Sequence, residues 1–191
     1  MCHYQIHSSK IITISKSNLN DKYNADGMIT QDKDIAIAVL TADCCPIFFF
    51  DKNASFISCL HAGWKGCYLN IIGVFCNEIT KIQNNYTEIN AIIGPCLNRK
   101  NFEVEKDFKS KFVEKNIRYD KFFFKSPGKN KYLFDMRGLI KYQIEINGIN
   151  NIENIDIDTY QNKELFFSHR RSTHMQEQPT GRMINIIGFK D

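Results

Sequence analysis

The chain has 191 residues, 43% hydrophobic and 24% charged, with a formal net charge of +4, which is the balance of a soluble globular chain long enough for one domain with a self-sufficient core. The positive charge is small and spread out, with no arginine-rich arm or lysine block, so nucleic acid is not the expected partner. No export signal opens the chain and no apolar run can span a bilayer, so a cytoplasmic protein without a membrane partner is predicted, and the seven cysteines are expected to stay free in a reducing compartment.

In chain order, the first apolar runs of strand length are IAIAVL (35–40), CPIFFF (45–50) and FISCL (56–60), bounded mostly by Asp, Asn or Pro. Residues 64–82 then place Tyr68, Leu69, Ile72, Phe75, Cys76, Ile79 and Ile82 at three- and four-residue spacing, the stripe of an amphipathic helix lying on a sheet. AIIG (91–94) is the next strand. Residues 104–115, with Phe108, Phe112 and Val113, and 135–147, with Met136, Leu139, Ile140 and Ile144 before Gly148, predict two more helices. The charged stretch from Lys109 to Lys131 is the most loop-like interior region, and LFF (165–167) and INIIGF (184–189) complete the strand set. The class is α/β or α+β with mixed strands. No repeat, low-complexity segment or Pro/Gly/Ser-rich linker divides the chain, so residues 1–191 are expected to form a single domain.

The chemistry-bearing residues gather around TADCCPIFFFDKNASFISCLHAGWKG, Thr41 to Gly66. His61 ends one predicted strand just before a glycine, and Cys44 ends the strand before Pro46. Strands adjacent in sequence often pair, so the two side chains are expected to meet at one edge of a sheet. That geometry serves a Cys/His nucleophile pair or a metal equally well. A metal needs a third ligand, for which His7 is available from a neighbouring segment. On spacing alone His7, Cys44 and His61 form no local signature, and both readings stay open. Adjacent strand residues face opposite sides, so Cys45 is expected in the core and Cys44 at the site.

The words QIH (5–7), DGMIT (26–30), TADCCPI (41–47), HAGWKG (61–66), IGPCL (93–97), FFSHRR (166–171) and TGR (180–182), in this order, closely resemble the laccase-domain family. It is also called the multicopper polyphenol oxidase-like family, and some members are named purine nucleoside phosphorylases or peptidoglycan editing factors. TADC-x-P and HAGW-x-G at this separation are specific together, whereas IGP or TGR alone would mean little. The resemblance implies a three-layer α/β sandwich with a mixed sheet, and one zinc ion held by His7, Cys44 and His61. It also implies purine nucleosides and phosphate as small-molecule partners, with phosphorolysis or adenosine deamination as the reaction.

On that footing Asp26 is expected to carry protons at the site, with Asp43 the lesser candidate because it adjoins a ligand and would face away from it. Arg170 is expected to hold phosphate, with Arg171 and Arg182 as further candidates from the same late loop. Three departures from the family pattern bear on the transfer. The chain begins only four residues before Gln5, so the family's usual preceding segment is expected to be absent; Ser8 stands where glycine is common, and Asp158 stands where cysteine is common. Five histidines are too few for several coppers. Two other readings are a metal-free cysteine hydrolase using Cys44 and His61, and a non-catalytic remnant tied to cell-wall editing; the oligomeric state is left open.

Overall fold

The computed structural model describes residues 3–82, 85–177 and 179–190. In chain order these form β1 (Ile11–Ile14), β2 (Gly27–Thr30), β3 (Ile37–Thr41), β4 (Cys45–Asp51), β5 (Ile57–Ala62), α1 (Trp64–Tyr68), α2 (Ile71–Ile79) and β6 (Ile89–Ile93). Then follow β7 (Glu103–Glu105), α3 (Lys106–Lys115), β8 (Phe123–Lys125), β9 (Lys131–Phe134), α4 (Met136–Ile146), β10 (Asn151–Asn154), α5 (His169–Met175) and β11 (Met183–Ile187).

The central sheet has six strands in the order β1-β2-β5-β4-β6-β10. Its two edge pairs are parallel and its interior pairs antiparallel, so the predicted mixed sheet is present. The strand period of two sorts its side chains into two cores. Cys45, Ile47 and Phe49 of β4 face the helices, where Phe49 stacks on Phe75 of α2 at 4.0 Å between centroids and Leu139, Ile140 and Ile144 of α4 join the cluster. Phe48 and Phe50 face the other way and join Met28, Ile57 and Cys59 under Ile37 and Val39. Those last two belong to β3, which pairs antiparallel with β11 in a separate two-stranded ribbon. Helices, sheet and ribbon are therefore three layers. No described helix is long and apolar enough to cross a membrane.

Several expectations change. The apolar stripe of 64–82 is two helices, because Asn70 takes a left-handed backbone (φ 59°) and its side chain accepts from the Gly73 N–H to start α2. A Cβ on Gly73 would lie 2.3 Å from Asn70 Nδ2, so a larger residue there would displace the capping side chain. The stretch from Lys109 to Lys131 is not a loop: it holds the end of α3, a 3-10 turn (Ile117–Phe122) and β8. Its aromatics outweigh its charges, since Phe112, Tyr119, Phe122 and Phe123 are buried and Phe123 stacks on Phe134 at 4.8 Å. LFF (165–167) is not a strand. Leu165 is exposed, the Phe166 carbonyl accepts from Arg171, and Ser168 caps α5 by accepting from the Arg171 N–H.

Candidate metal centre and its cavities

The antiparallel pairing of β4 with β5 sets Pro46 opposite His61 and Cys45 opposite Ala62, which brings Cys44, in the bend just before β4, alongside the end of β5. His7 arrives from the N-terminal segment, which is laid parallel to residues 23–27 by the bridge between Tyr4 and Asn24. His7 has a left-handed backbone (φ 58°) that turns its ring toward the same point. The ligand atoms of His7, Cys44 and His61 lie within 4.8 Å of one another, and this is the group of three able to hold a metal ion among the described residues. Cys44 Sγ is 3.9 Å from His7 Nε2, and the two imidazoles meet edge to face at 4.8 Å. Zinc bonds of about 2.0–2.3 Å put tetrahedral ligands about 3.5 Å apart, so a small inward movement closes this set on an ion. Gly63, of HAGW, forms the wall: a Cβ there would lie 2.8 Å from Cys44 Sγ and 3.4 Å from His7 Cδ2.

Asp26 sits behind this cluster, 1% exposed. Its Oδ1 accepts from His61 Nδ1 at 2.8 Å and from the His7 N–H at 3.0 Å. Its Oδ2 accepts from the Ser8 N–H at 2.6 Å, the Ser8 hydroxyl at 2.7 Å and the Ile6 N–H at 3.3 Å. One carboxylate thus positions both histidines. Because His61 gives Nδ1–H to Asp26, its Nε2 is left to face the cluster. Burial would push the Asp26 carboxyl up, but the hydrogen bonds from His61 and Ser8 hold it down to about 2. Burial would likewise lower the His61 imidazole, yet its bonds to Asp26 and then Cys44 raise it to about 9. Burial would raise the Cys44 thiol, and the bonds from His61 and His7 instead bring it to about 7. Without a metal these opposed shifts favour a Cys44 thiolate beside a His61 imidazolium that the Asp26 carboxylate holds, so a metal ion would take the place of the His61 proton.

Two cavities meet here. One, of about 380 Å³, contains all three cluster residues together with Gln5, Leu40 and Arg182. The other, of about 400 Å³, is walled by Trp64, Phe102, Phe108 and Met136 and carries Glu105 and Arg170. Ala42, Cys44 and His169 line both.

The late-loop candidates separate. The Arg170 guanidinium lies beside the aromatic cavity, 5.4 Å from the Phe102 ring, and donates to the Glu103 carbonyl at 3.2 Å. Arg182, exposed, lines the other cavity and donates to the carbonyls of Thr180 and Gly181. Arg171 is not available to an anion: its guanidinium is spent on the carbonyls of Thr159, Tyr160 and Phe166 at 2.8, 2.7 and 2.5 Å. Asp43 (φ 80°) turns its carboxylate to the start of α5, accepting from the Arg170 N–H at 2.6 Å and the Thr159 hydroxyl at 2.7 Å. Asp158 pins the loop after β6, accepting from the Asn98 N–H at 3.1 Å and Asn101 Nδ2 at 2.5 Å. Cys45 is fully buried, as expected, with its thiol directed to the carbonyls of Pro46 and Gly94. His169 and the aromatic wall were not singled out for the site from sequence. Phe108 reads as part of a helix stripe, and nothing in SHRR marks the first residue of α5 as shared by two cavities.

Residues 1–190 match the profile of the family described as multi-copper polyphenol oxidoreductase laccase. A purine nucleoside phosphorylase of Rickettsia conorii is 34% identical over 187 residues, spanning 97% of this chain and 76% of that protein. One of Campylobacter jejuni, of the same name, is 32% identical over 193 residues, spanning 98% and 76%. Among solved structures, a Neisseria meningitidis protein superposes with a TM-score of 0.87 at 27% identity, covering 100% of this chain and 74% of that one. YlmD from Geobacillus stearothermophilus gives 0.86 at 25% identity, covering 100% and 73%.

Proposed function

The chain belongs to the multi-copper polyphenol oxidoreductase laccase family, and from that membership we propose that it is a zinc-dependent enzyme that cleaves purine nucleosides with phosphate. The observation that carries the proposal is the meeting of His7, Cys44 and His61 at a point lining two cavities, a three-ligand set with an accessible side. The name purine nucleoside phosphorylase on relatives that match almost the whole chain supports the substrate class.

Zinc, when bound, supplies a Lewis acid that stabilises negative charge developing on the substrate. The remaining work falls to the chain. Asp26 holds the proton on His61 Nδ1 and keeps both imidazoles aimed at the cluster, so its part is positioning. In the aromatic cavity Trp64, Phe102 and Phe108 offer flat apolar faces to a base and exclude water from it. Arg170, half-buried beside them, offers guanidinium N–H groups to phosphate. The proposal sets the enzyme in the cytoplasm.

The test is product analysis. Zinc-loaded protein is incubated with adenosine or inosine, with and without phosphate, and the products are separated. Free base that appears only with phosphate is the expected result. Inosine from adenosine without phosphate would make the reaction a deamination instead. No product from the zinc-loaded protein, or full activity after metal removal, would refute the proposal; the second result would favour Cys44 as a nucleophile with His61 as its base.

A further inference from the structure

Arg137, the second residue of α4, is 7% exposed and its guanidinium is fixed on two sides. Nη1 donates to Asn154 Oδ1 at 2.9 Å and to the Ile155 carbonyl, and Nη2 to the Ile157 carbonyl at 3.0 Å. The Nε–H is buried and has no hydrogen-bond partner. It forms an ion pair with Asp156 Oδ1 at 3.7 Å, longer than a hydrogen bond. A buried cationic N–H without an acceptor costs free energy, and so calls for a physical reason.

The Asp156 carboxylate offsets part of that cost, and the same guanidinium adds its charge to a cavity. A polar hollow of about 390 Å³ is lined by Arg137 together with Arg99, Lys100 and Lys141, and by the carboxylates of Asp135 and Asp156. Cations outnumber carboxylates, and one carboxylate is already engaged: Asp135 accepts from the Gly138 N–H at 2.9 Å as the cap of α4. Arg99 rests its guanidinium face on Phe124 at 4.1 Å, which leaves the edge N–H groups for a ligand. Lys141 has only a loose pairing with Glu145 at 3.8 Å. Asn98 and Asn154 add amides to the rim.

We propose that this hollow is a second binding site, specific for a small phosphate dianion, either inorganic phosphate or a phosphate monoester. Its oxygens take Arg99, Lys100 and Lys141, and the buried Arg137 guanidinium adds positive charge to the wall behind them. The site shares no lining residue with the two cavities at the metal cluster and does not depend on the reaction proposed there. It does share their scaffold: Leu97 and Met136 wall the aromatic cavity, while their neighbours Asn98 and Arg137 line this one.

Backbone amide NMR of the zinc-loaded protein, titrated with inorganic phosphate and separately with glycerol 3-phosphate, tests the proposal. Amides of residues 98–100 and 136–141 should shift and saturate. Binding at those amides should weaken by at least about tenfold in Lys100→Glu/Lys141→Glu, because two attractive charges reverse sign. It should persist in Arg170→Ala, which alters only the other cavity. Both lysines are exposed, so the double variant keeps its fold, checked by thermal unfolding. Whichever probe saturates at lower concentration identifies the source of the phosphate. No saturable shift with either probe up to tens of millimolar, or equal binding by the charge-reversed variant, would overturn the proposal.

Discussion

Asp26→Asn isolates the residue on which the whole cluster depends. The carboxylate accepts from His61 and His7 on one oxygen and from Ser8 and Ile6 on the other. An amide can serve only one of these groups. With its oxygen toward the histidines, its NH2 faces the Ser8 N–H, donor against donor, at a position where the acceptor now stands 2.6 Å away. Flipped, the NH2 faces His61 Nδ1, which can accept only if the imidazole proton moves to Nε2, the atom that faces the cluster. Losing charge-assisted bonds and stranding buried donors costs about 2–4 kcal/mol. The downward shift of the carboxyl, from 3.8 to about 2, independently corresponds to about 2 kcal/mol. Metal affinity should fall by about 10–100-fold, as when the partner of a ligating histidine is removed. Competition with a chromophoric chelator measures the affinity, and urea unfolding of the metal-free protein measures the stability. Zinc affinity within about twofold of wild type would refute the positioning role. Asp43→Asn is the control, since that carboxylate serves α5 and Thr159, and it should leave zinc affinity unchanged.

The Asp26–His61 pair also sets a pH profile for the metal-free protein. His61 is raised from 6.5 to about 9, so its contribution is full below 6.5 and is lost as pH rises through about 9, whereas Asp26, lowered from 3.8 to about 2, contributes above 3.8 and loses that contribution as pH falls through about 2. The Cys44 thiol, lowered from 9.0 to about 7, gains stability over the range in which His61 loses it. The pair is therefore read in Cys44→Ala, where urea midpoints should be flat between about 3.8 and 6.5 and fall on either side; a midpoint still rising through pH 9 in that variant would contradict the assignment. Zinc must displace the His61 proton, so its affinity, followed by calorimetry, should climb with pH toward about 9. Gly63→Ala places a Cβ 2.8 Å from Cys44 Sγ, and should weaken zinc binding by about tenfold at a stability cost of about 1–3 kcal/mol. Arg171→Met removes the bonds to the carbonyls of Thr159, Tyr160 and Phe166, and should destabilise the protein by about 2–4 kcal/mol in denaturant. Arg170→Met, which removes one carbonyl bond at 3.2 Å, should cost about 1 kcal/mol or less and act mainly on turnover.

Strand content was legible wherever a run is apolar on both faces, as in β4 and β5, which lie between two cores. It was illegible where a strand sits at an edge. NIEN of β10 is mostly exposed and carries no apolar period, and it is a strand because the backbone of β6 offers it a parallel partner. LFF fails in the opposite sense: three apolar residues without a partner remain a turn. The aromatic residues of 109–131 are a third kind of case. Their burial depends on Phe108 and Phe134, which lie outside the stretch, so local charge density misrepresents them.

The placement of the two aspartates shows why the site was only half legible. Strand alternation predicts Asp43 away from Cys44's side and Asp26 nearer the cluster; Asp26 does hold His61 and the His7 N–H, whereas Asp43 lines the aromatic cavity together with Cys44, and alternation is not what places it. Thr41 ends β3 and Cys45 begins β4, so Asp43 and Cys44 lie in a bend where the period of two has no force. The left-handed backbone at Asp43, a conformation that aspartate tolerates better than most residues, brings its carboxylate to the Arg170 N–H and the Thr159 hydroxyl. Asp26, expected to carry protons, has both oxygens filled by donors of the chain itself, an arrangement that fits the positioning part proposed for it. Ser8, where the family resemblance leads one to expect glycine, supplies one of those bonds through its hydroxyl, beside the backbone N–H bond that a glycine would give as well. The departure therefore strengthens the grip on the residue that aims His7 and His61.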